Sequence, residues 1–345
     1  MNSTANLPLI SVVIPNYNGA GFLSGCLRSL LSQTYQEMEI IVVDNASEDA
    51  SLEVARAAAP RAVLLRQDRN LGFAGAVNQG VRASRGNWVA VLNNDTVVAP
   101  GWLAEFARAI QEHPDAAFFA CRILDSANRR RVFSAGDCYL RAGIGYRRGQ
   151  ELEDRPEFRR ECPIFAASGC AALYRKDVLE EVGGFDEHFF AYLEDVDLGL
   201  RLQTAGHRGY YLPQAEVYHH GAGTSGGEFS RLAVRLRTRN ALLLLFKSVP
   251  GRYLLRCLPM IGLAQLSWIG RVLMHGRLGS YLIGLGEAFA LAPAMIGKRA
   301  RMRPAWRSSR QRFWREILNS ESMARRDFGP DGSGSLFLKW YFRIF

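Results

Sequence analysis

Three carboxylates fall within four residues, at Glu194, Asp195 and Asp197. Crowded carboxylates raise one another's pKa, which can leave one of them poised as a general base near neutral pH. On a helix, position 195 points in a different direction from 197, and Arg201, four residues beyond Asp197, is placed for an i,i+4 ion pair. A fourth carboxylate, Asp95, closes Asn93-Asn94-Asp95 directly after the apolar run Trp88–Leu92. There it could bind a hard divalent ion that itself grips phosphate oxygens. His219, in Val217-Tyr218-His219-His220, could complete that metal site, with His220 as its rival. A base on one side and a counter-charge for a diphosphate on the other suit transfer of a sugar from a nucleotide diphosphate. Each residue also has a plainer use, as a turn former after a strand or as a carboxylate facing a helix dipole.

The surrounding elements must bring these groups together. Leu9–Ile14 is a continuous apolar run ending in Pro15-Asn16-Tyr17-Asn18-Gly19, which reads as a buried strand and a turn. Phe22–Leu31 has helical spacing, Glu39–Val43 is a second strand stopped by Asp44-Asn45-Ala46-Ser47, and Asp49–Ala58 is an Ala-rich helix. Ala62–Leu65, Phe73–Ala83 and Trp88–Leu92 continue as strand, helix and strand. This alternation predicts a mainly parallel sheet covered on both faces, with ligands beyond the carboxyl ends of the strands. The polar clusters at 15–19, 44–47 and 93–95 lie at those ends. A dinucleotide fold would carry G-x-G-x-x-G after its first strand; PNYNG stands there instead and excludes it. Between about 125 and 165 no element is assigned. Ile164–Leu173 and Arg208–Tyr211 read as strands, and Leu193–Ala205 as the helix that carries the acidic cluster.

At 345 residues, the chain can hold one large α/β domain and an appendage. Charge divides it: residues 231–345 have 21 Lys/Arg against 5 Asp/Glu, and residues 1–230 have 22 against 28. The basic third is also apolar, with Ala241–Phe246, Tyr253–Gly270 and Leu278–Ile296. The last run approaches spanning length but contains Glu287 and Pro293, which favours in-plane or re-entrant helices over a clean crossing. Trp306, Phe313 and Trp314 alternate with Arg307, Arg310, Arg312 and Arg315, and the chain ends LFLKWYFRIF. Rings interleaved with cations suit a headgroup layer rather than nucleic acid. A second copy of the chain is the alternative partner for such faces. Six cysteines without zinc spacing, and no basic-then-apolar leader, give the expectation of reduced thiols and no secretion.

The set SVVIPNYNG (11–19), QTYQEMEIIVVDNASED (33–49), RNLGFAGAVNQG (69–80), LNNDT (92–96), the long segment 168–211 around YLEDVDLGLRL, and VYHHGAGTS (217–225) resembles glycosyltransferase family 2. The likeness is closest to its bacterial rhamnosyltransferase-like branch. It implies a GT-A catalytic domain over residues 1–240, followed by a helical membrane-associating region over 241–345. It implies an inverting transferase that uses Mg2+ or Mn2+. Pro15, Tyr17 and Asp44 would surround the nucleotide base and ribose, with Asn70, Asn78 and Asn94 also on the nucleotide-sugar. Asp95 matches the last carboxylate of the family's DXD metal motif, whose first two positions are here Asn93 and Asn94. Asp195 matches the general base, and His219 the metal histidine. The branch points to dTDP-L-rhamnose as donor and a polyprenyl-diphosphate-linked sugar as acceptor, at the cytoplasmic face of the membrane. A catalytically silent sugar-binding relative would have no need of Asp95, Asp195 and His219 together.

Overall fold

Apolar runs bounded by turn residues become the first half of the sheet: β1 (Ile10–Asn16), β2 (Met38–Asp44), β3 (Val63–Arg66) and β4 (Trp88–Leu92), joined by α1 (Ala20–Leu31), α2 (Ser51–Ala58) and α3 (Gly72–Ala83). In this computed structural model, residues 7–221, 227–249, 251–302, 310–328 and 336–345 are described. The 222–225 part of the last motif, and Trp306 and Arg307, lie outside them.

The chain continues through β5 (Thr96–Val98), α4 (Trp102–Glu112), β6 (Ala116–Asp125), β7 (Val132–Ser134), a hairpin of β8 (Asp137–Leu140) and β9 (Ile144–Arg147), β10 (Cys162–Ile164), β11 (Ala171–Arg175), α5 (Lys176–Glu181), α6 (Glu194–Ala205) and β12 (Arg208–His219). Strand order is β10-β12-β6-β11-β4-β1-β2-β3, with β5 beside β12 and β7 beside β6. Strands β3, β2, β1 and β4 are parallel, and β11 runs antiparallel between β4 and β6. Because β1 pairs with both β2 and β4, the connection reverses direction there, and the crevice above β1 is open to a ligand.

Two sequence expectations change. Ile164–Leu173 is not one strand: β10 ends at Ile164 and β11 begins at Ala171, separated by a turn through Ser168-Gly169-Cys170. The strand expected at Arg208–Tyr211 runs on to His219, because a register shift between Leu212 and Glu216 absorbs Pro213 without ending the pairing with β6. The unassigned stretch holds β7, the β8–β9 hairpin and β10.

The sheet buries Ile14, Leu27, Trp102 and Phe106 on one face and Val13, Val77, Phe118 and Leu198 on the other. A third apolar cluster lies outside the sheet and joins Phe165, Phe189 and Leu200 to Leu243, Leu244, Tyr253 and Phe313. It is made by the C-terminal helices α7 (Arg231–Ser248), α8 (Gly251–Met274), α9 (Leu278–Met302), α10 (Arg310–Phe328) and α11 (Leu336–Ile344). Helix α7 passes straight through the expected boundary at 240/241. Helix α9 lies along it so closely that a Cβ at Gly284 would overlap the Arg235 carbonyl.

Candidate active site

The turns after β1, β2 and β4 meet at Asn16. Its Nδ2 donates to Asp44 Oδ1 and Ser47 Oγ, both at 3.2 Å, and its Oδ1 accepts from Asn94 Nδ2 at 2.7 Å. Asn16, Asp44, Ser47 and Asn94 are all buried. A Cβ on Gly19 would overlap the Asn94 amide, so the chain can cross this cluster only as glycine. Tyr17 stands exposed beside it and Pro15 is half-buried. The next loop is tied in by Asn45, whose Nδ2 donates to Asn70 Oδ1 at 2.8 Å. Asn78 is placed differently from the sequence reading. Its amide is committed to the Phe185 backbone, donating to the carbonyl at 2.8 Å and accepting from the N–H at 2.9 Å, and so holds the 184–187 loop.

Antiparallel pairing of β12 with β5 sets His219 opposite Thr96. His219 Nε2 therefore lies 3.2 Å from Asp95 Oδ1, both side chains being buried. The His219 ring meets Phe133 edge-on at 4.3 Å, and its Nδ1 is buried without a partner among the described residues. His220 instead turns its ring toward Phe22, while its N–H donates to the Asp95 carbonyl at 3.0 Å. Two donor atoms on adjacent corners of an octahedral ion with bonds near 2.1 Å lie about 3.0 Å apart. The Asp95–His219 edge fits that spacing. No group of three His, Cys, Asp or Glu side chains suited to an ion occurs among the described residues. The other corners would fall to phosphate oxygens and water, the usual manner of Mg2+ binding at phosphate sites.

The acidic cluster opens α6, where the backbone leading in is strained. Phe190, Tyr192 and Leu193 all have φ between 63° and 69°, each costing on the order of 1–3 kcal/mol. Asn240 of α7, fully buried, holds them: its Nδ2 donates to the carbonyls of Phe189, Ala191 and Tyr192 at 2.7–2.9 Å. Arg239 adds a 2.8 Å bond to the Phe189 carbonyl.

The three carboxylates then take separate environments. Asp195 is half-buried, with Oδ2 accepting from the Gly169 N–H at 2.9 Å and Oδ1 from the Val196 N–H at 2.8 Å. Burial raises its pKa above the ordinary carboxylate value, against the pull of those N–H groups and of Arg147. Glu194 is buried with Oε2 unpartnered among the described residues, and burial beside Asp195 pushes its pKa well above the ordinary carboxylate value. Burial would raise Asp197 as well, but Lys247 and Arg201 hold it below its usual value. Both cations touch it, Lys247 Nζ at 2.7 Å and Arg201 Nε at 2.8 Å, the latter being the i,i+4 pair that the spacing suggests.

The turn that replaces the middle of the expected strand joins the two halves of the site. Gly169 binds Asp195, and the carbonyl of the next residue, Cys170, accepts from the Asn93 N–H at 2.8 Å, two residues before Asp95. Sequence reasoning passed over Asp137 and Arg147, which face each other across the β8–β9 hairpin. Burial and the charge of Asp195 push the Asp137 carboxyl up to about 8. Nothing in their local spacing marks them, since the hairpin interrupts the alternating pattern.

Comparison with known proteins gives the family and the fold. A family model described as glycosyl transferase family 2 matches residues 11–183. An N-acetylglucosaminyl-diphospho-decaprenol L-rhamnosyltransferase of Mycobacterium tuberculosis is 31% identical over 240 residues, covering 63% of this chain and 78% of that protein. An O-antigen biosynthesis protein of Myxococcus xanthus is 30% identical over 225 residues, 62% of this chain and 17% of its own length. Among solved structures, a mannosyltransferase from Pyrobaculum calidifontis in complex with GDP-Man and Mn2+ superposes with a TM-score of 0.52 at 19% identity, covering 93% of this chain and 86% of that one. Residues 1–349 of TarS from S. aureus give 0.53 at 16% identity, covering 92% and 91%. The fold is GT-A, and the chain belongs to glycosyltransferase family 2.

Proposed function

We propose that the protein is an inverting, divalent-metal-dependent rhamnosyltransferase. In this reading it moves L-rhamnose from dTDP-L-rhamnose to a hydroxyl of a polyprenyl-diphosphate-linked sugar in cell-envelope glycan assembly. The observation that carries it is the pairing, through Gly169-Cys170-Asn93, of a backbone-oriented carboxylate of raised pKa with the Asp95–His219 edge. The relative from M. tuberculosis supports the sugar and the acceptor class.

The acceptor hydroxyl gives its proton to Asp195 as its oxygen bonds to the anomeric carbon. The bond from that carbon to the diphosphate oxygen breaks on the opposite face, so configuration inverts in one step. Asp95 and His219 would hold a Mg2+ or Mn2+ ion that offsets the charge on the departing diphosphate. Asn16, Asp44 and Asn94 fix the floor beneath the nucleotide, and Tyr17 is free to lie against its base.

Exposed apolar side chains on α8 and α9 support a membrane surface as the place of reaction. Both helices are long and apolar enough to cross a membrane, yet 22% and 17% of their apolar windows are buried. Lys298 of α9 bonds to Asp186 at 2.6 Å, and Arg235 of α7 pairs with Glu287. These ties keep α9 along the catalytic body and favour an in-plane position. A panel of nucleotide sugars, offered with a lipid-linked acceptor with and without EDTA, tests the whole reading. Transfer from dTDP-L-rhamnose that EDTA abolishes is expected; full activity in excess EDTA would refute the metal, and preference for another donor the sugar.

A further inference from the structure

Three guanidinium groups lie beside Asp195, and the charge of all three reaches Glu228. Arg147 ends β9, with its guanidinium over the Phe133 ring at 4.4 Å, one ring away from His219. Arg237 of α7 lies over Tyr192 at 5.5 Å, three residues before Asp195, and pairs with Glu228 at 2.7 Å. Arg271 of α8 lies over Trp268 at 5.2 Å. Glu228 feels all three charges, and Arg147 feels Asp195, Asp137 and Arg237. Neither Arg147 nor Arg271 has a hydrogen bond or ion pair from its guanidinium among the described residues. Arg237 is the one of the three in ion-pair contact with an acid among the described residues, while Arg147 and Arg271 rest on rings.

The chemistry on either side of this group is ordered. Beyond Arg271, α8 exposes Leu266, Leu273 and Met274, each more than half accessible. Inward from Arg237 and Arg147 lies Asp195. Moving inward, the surface therefore offers hydrocarbon contact, then positive charge, then a base for a hydroxyl. A lipid-linked sugar diphosphate presents hydrocarbon, two negative phosphates and a sugar hydroxyl in the same order.

We infer that Arg147, Arg237 and Arg271 bind the diphosphate of the acceptor, with its lipid along α8 and its sugar hydroxyl at Asp195. This rests on the lipid-linked acceptor reading above. Guanidinium forks suit phosphate oxygens, and the Arg147 and Arg271 forks carry no hydrogen bond or ion pair among the described residues. Binding there fixes the distance from phosphate to base, and so selects acceptors whose sugar carries the diphosphate directly.

Two synthetic acceptors test this: N-acetylglucosaminyl diphospho-undecane and undecyl N-acetylglucosaminide, which share sugar and chain and differ only in the diphosphate. Wild type should show a KM lower by roughly 10-fold to 100-fold for the diphosphate, as expected for charge-assisted hydrogen bonds. Arg271→Gln should cut that preference, and Arg147→Gln with Arg271→Gln should bring it close to one, while the KM for donor stays. Arg61→Gln, at the opposite end of the strands, controls for net charge. Equal KM values in wild type, or a preference that survives both substitutions, overturn the inference alone. So does a rise in donor KM, which would assign the arginines to the donor diphosphate. An effect seen only when anionic phosphatidylglycerol vesicles are added also overturns it, assigning them to membrane headgroups. Transfer to neither acceptor defeats the lipid-linked reading, and the inference with it.

Discussion

Glu194 and Asp195 are neighbours in sequence but differ in what surrounds them. Asp195 keeps some accessible surface and has both oxygens oriented by backbone N–H groups, whereas Glu194 is sealed in. Asp195→Asn should lower kcat by about 100-fold or more with donor affinity kept, and Glu194→Gln should be mild. The acid limb of kcat/KM should lie above the ordinary carboxylate range, since Asp195 must lose its proton to act. A crippling Glu194→Gln with a mild Asp195→Asn would show that the wrong carboxylate has been assigned. Asp137 offers a measurement on stability. Its folded-state pKa of about 8 exceeds its unfolded value of about 3.9, so the native state binds the extra proton between them. Its contribution is complete below the unfolded value and is lost as pH rises through the folded one. Wild-type Tm should therefore fall more steeply from pH 5 to 8 than that of Asp137→Asn, which carries no charge at either pH; parallel profiles would contradict the assignment. The acidic triplet and Asp95 could be singled out in sequence because they cluster or close a strand. Asn16 could not, since its partners Asp44, Ser47 and Asn94 lie far away along the chain, and Asp137 could not, since the hairpin that sets it opposite Arg147 breaks the alternating pattern.

At the scale of elements, the loop that feeds α6 is held in its strained form by a helix that begins almost forty residues later. Asn240→Ala removes an amide whose two N–H groups are shared among three carbonyls, at about 1 kcal/mol for each hydrogen bond lost. The variant should melt earlier, and its kcat should fall more than its donor affinity because the base turn can relax. Unchanged kcat in a destabilised enzyme would show that the clamp serves the fold alone. The three βα units and the fourth strand were readable because each strand is an unbroken apolar run ended by turn formers. Reading failed where function interrupts pattern. The Ser168-Gly169-Cys170 turn breaks what looks like one strand because Gly169 must turn its N–H to Asp195. Strand β12 passes Pro213 and reaches His219 because pairing with β6 resumes at Glu216, a long-range cause that local propensity cannot show.

For the whole molecule, the exposed residues Leu255, Leu266, Leu282 and Phe289 on α8 and α9 form the surface expected to meet lipid. The full chain should float with anionic vesicles in moderate salt, and Leu266→Ser combined with Phe289→Ser should weaken that association severalfold; a soluble, unbound full chain would refute the membrane reading. Truncation at residue 240 would be a poor control, since it cuts α7 in the middle.

Helix α7 also has a consequence for engineering. Lys247 Nζ lies 2.7 Å from both Asp186 and Asp197, and Ser248 Oγ donates to Asp197 at 3.2 Å. Asp197 shares the first turn of α6 with Asp195, so the tail supplies one of the counter-ions of that turn. A buried carboxylate that loses such a partner typically costs several kcal/mol. A chimera that borrows another relative's tail should therefore be joined ahead of Arg231, and should import Lys247, Ser248 and Lys298 together with acidic residues at 186 and 197. The portable cassette is the ion network, not the run of apolar sequence around it.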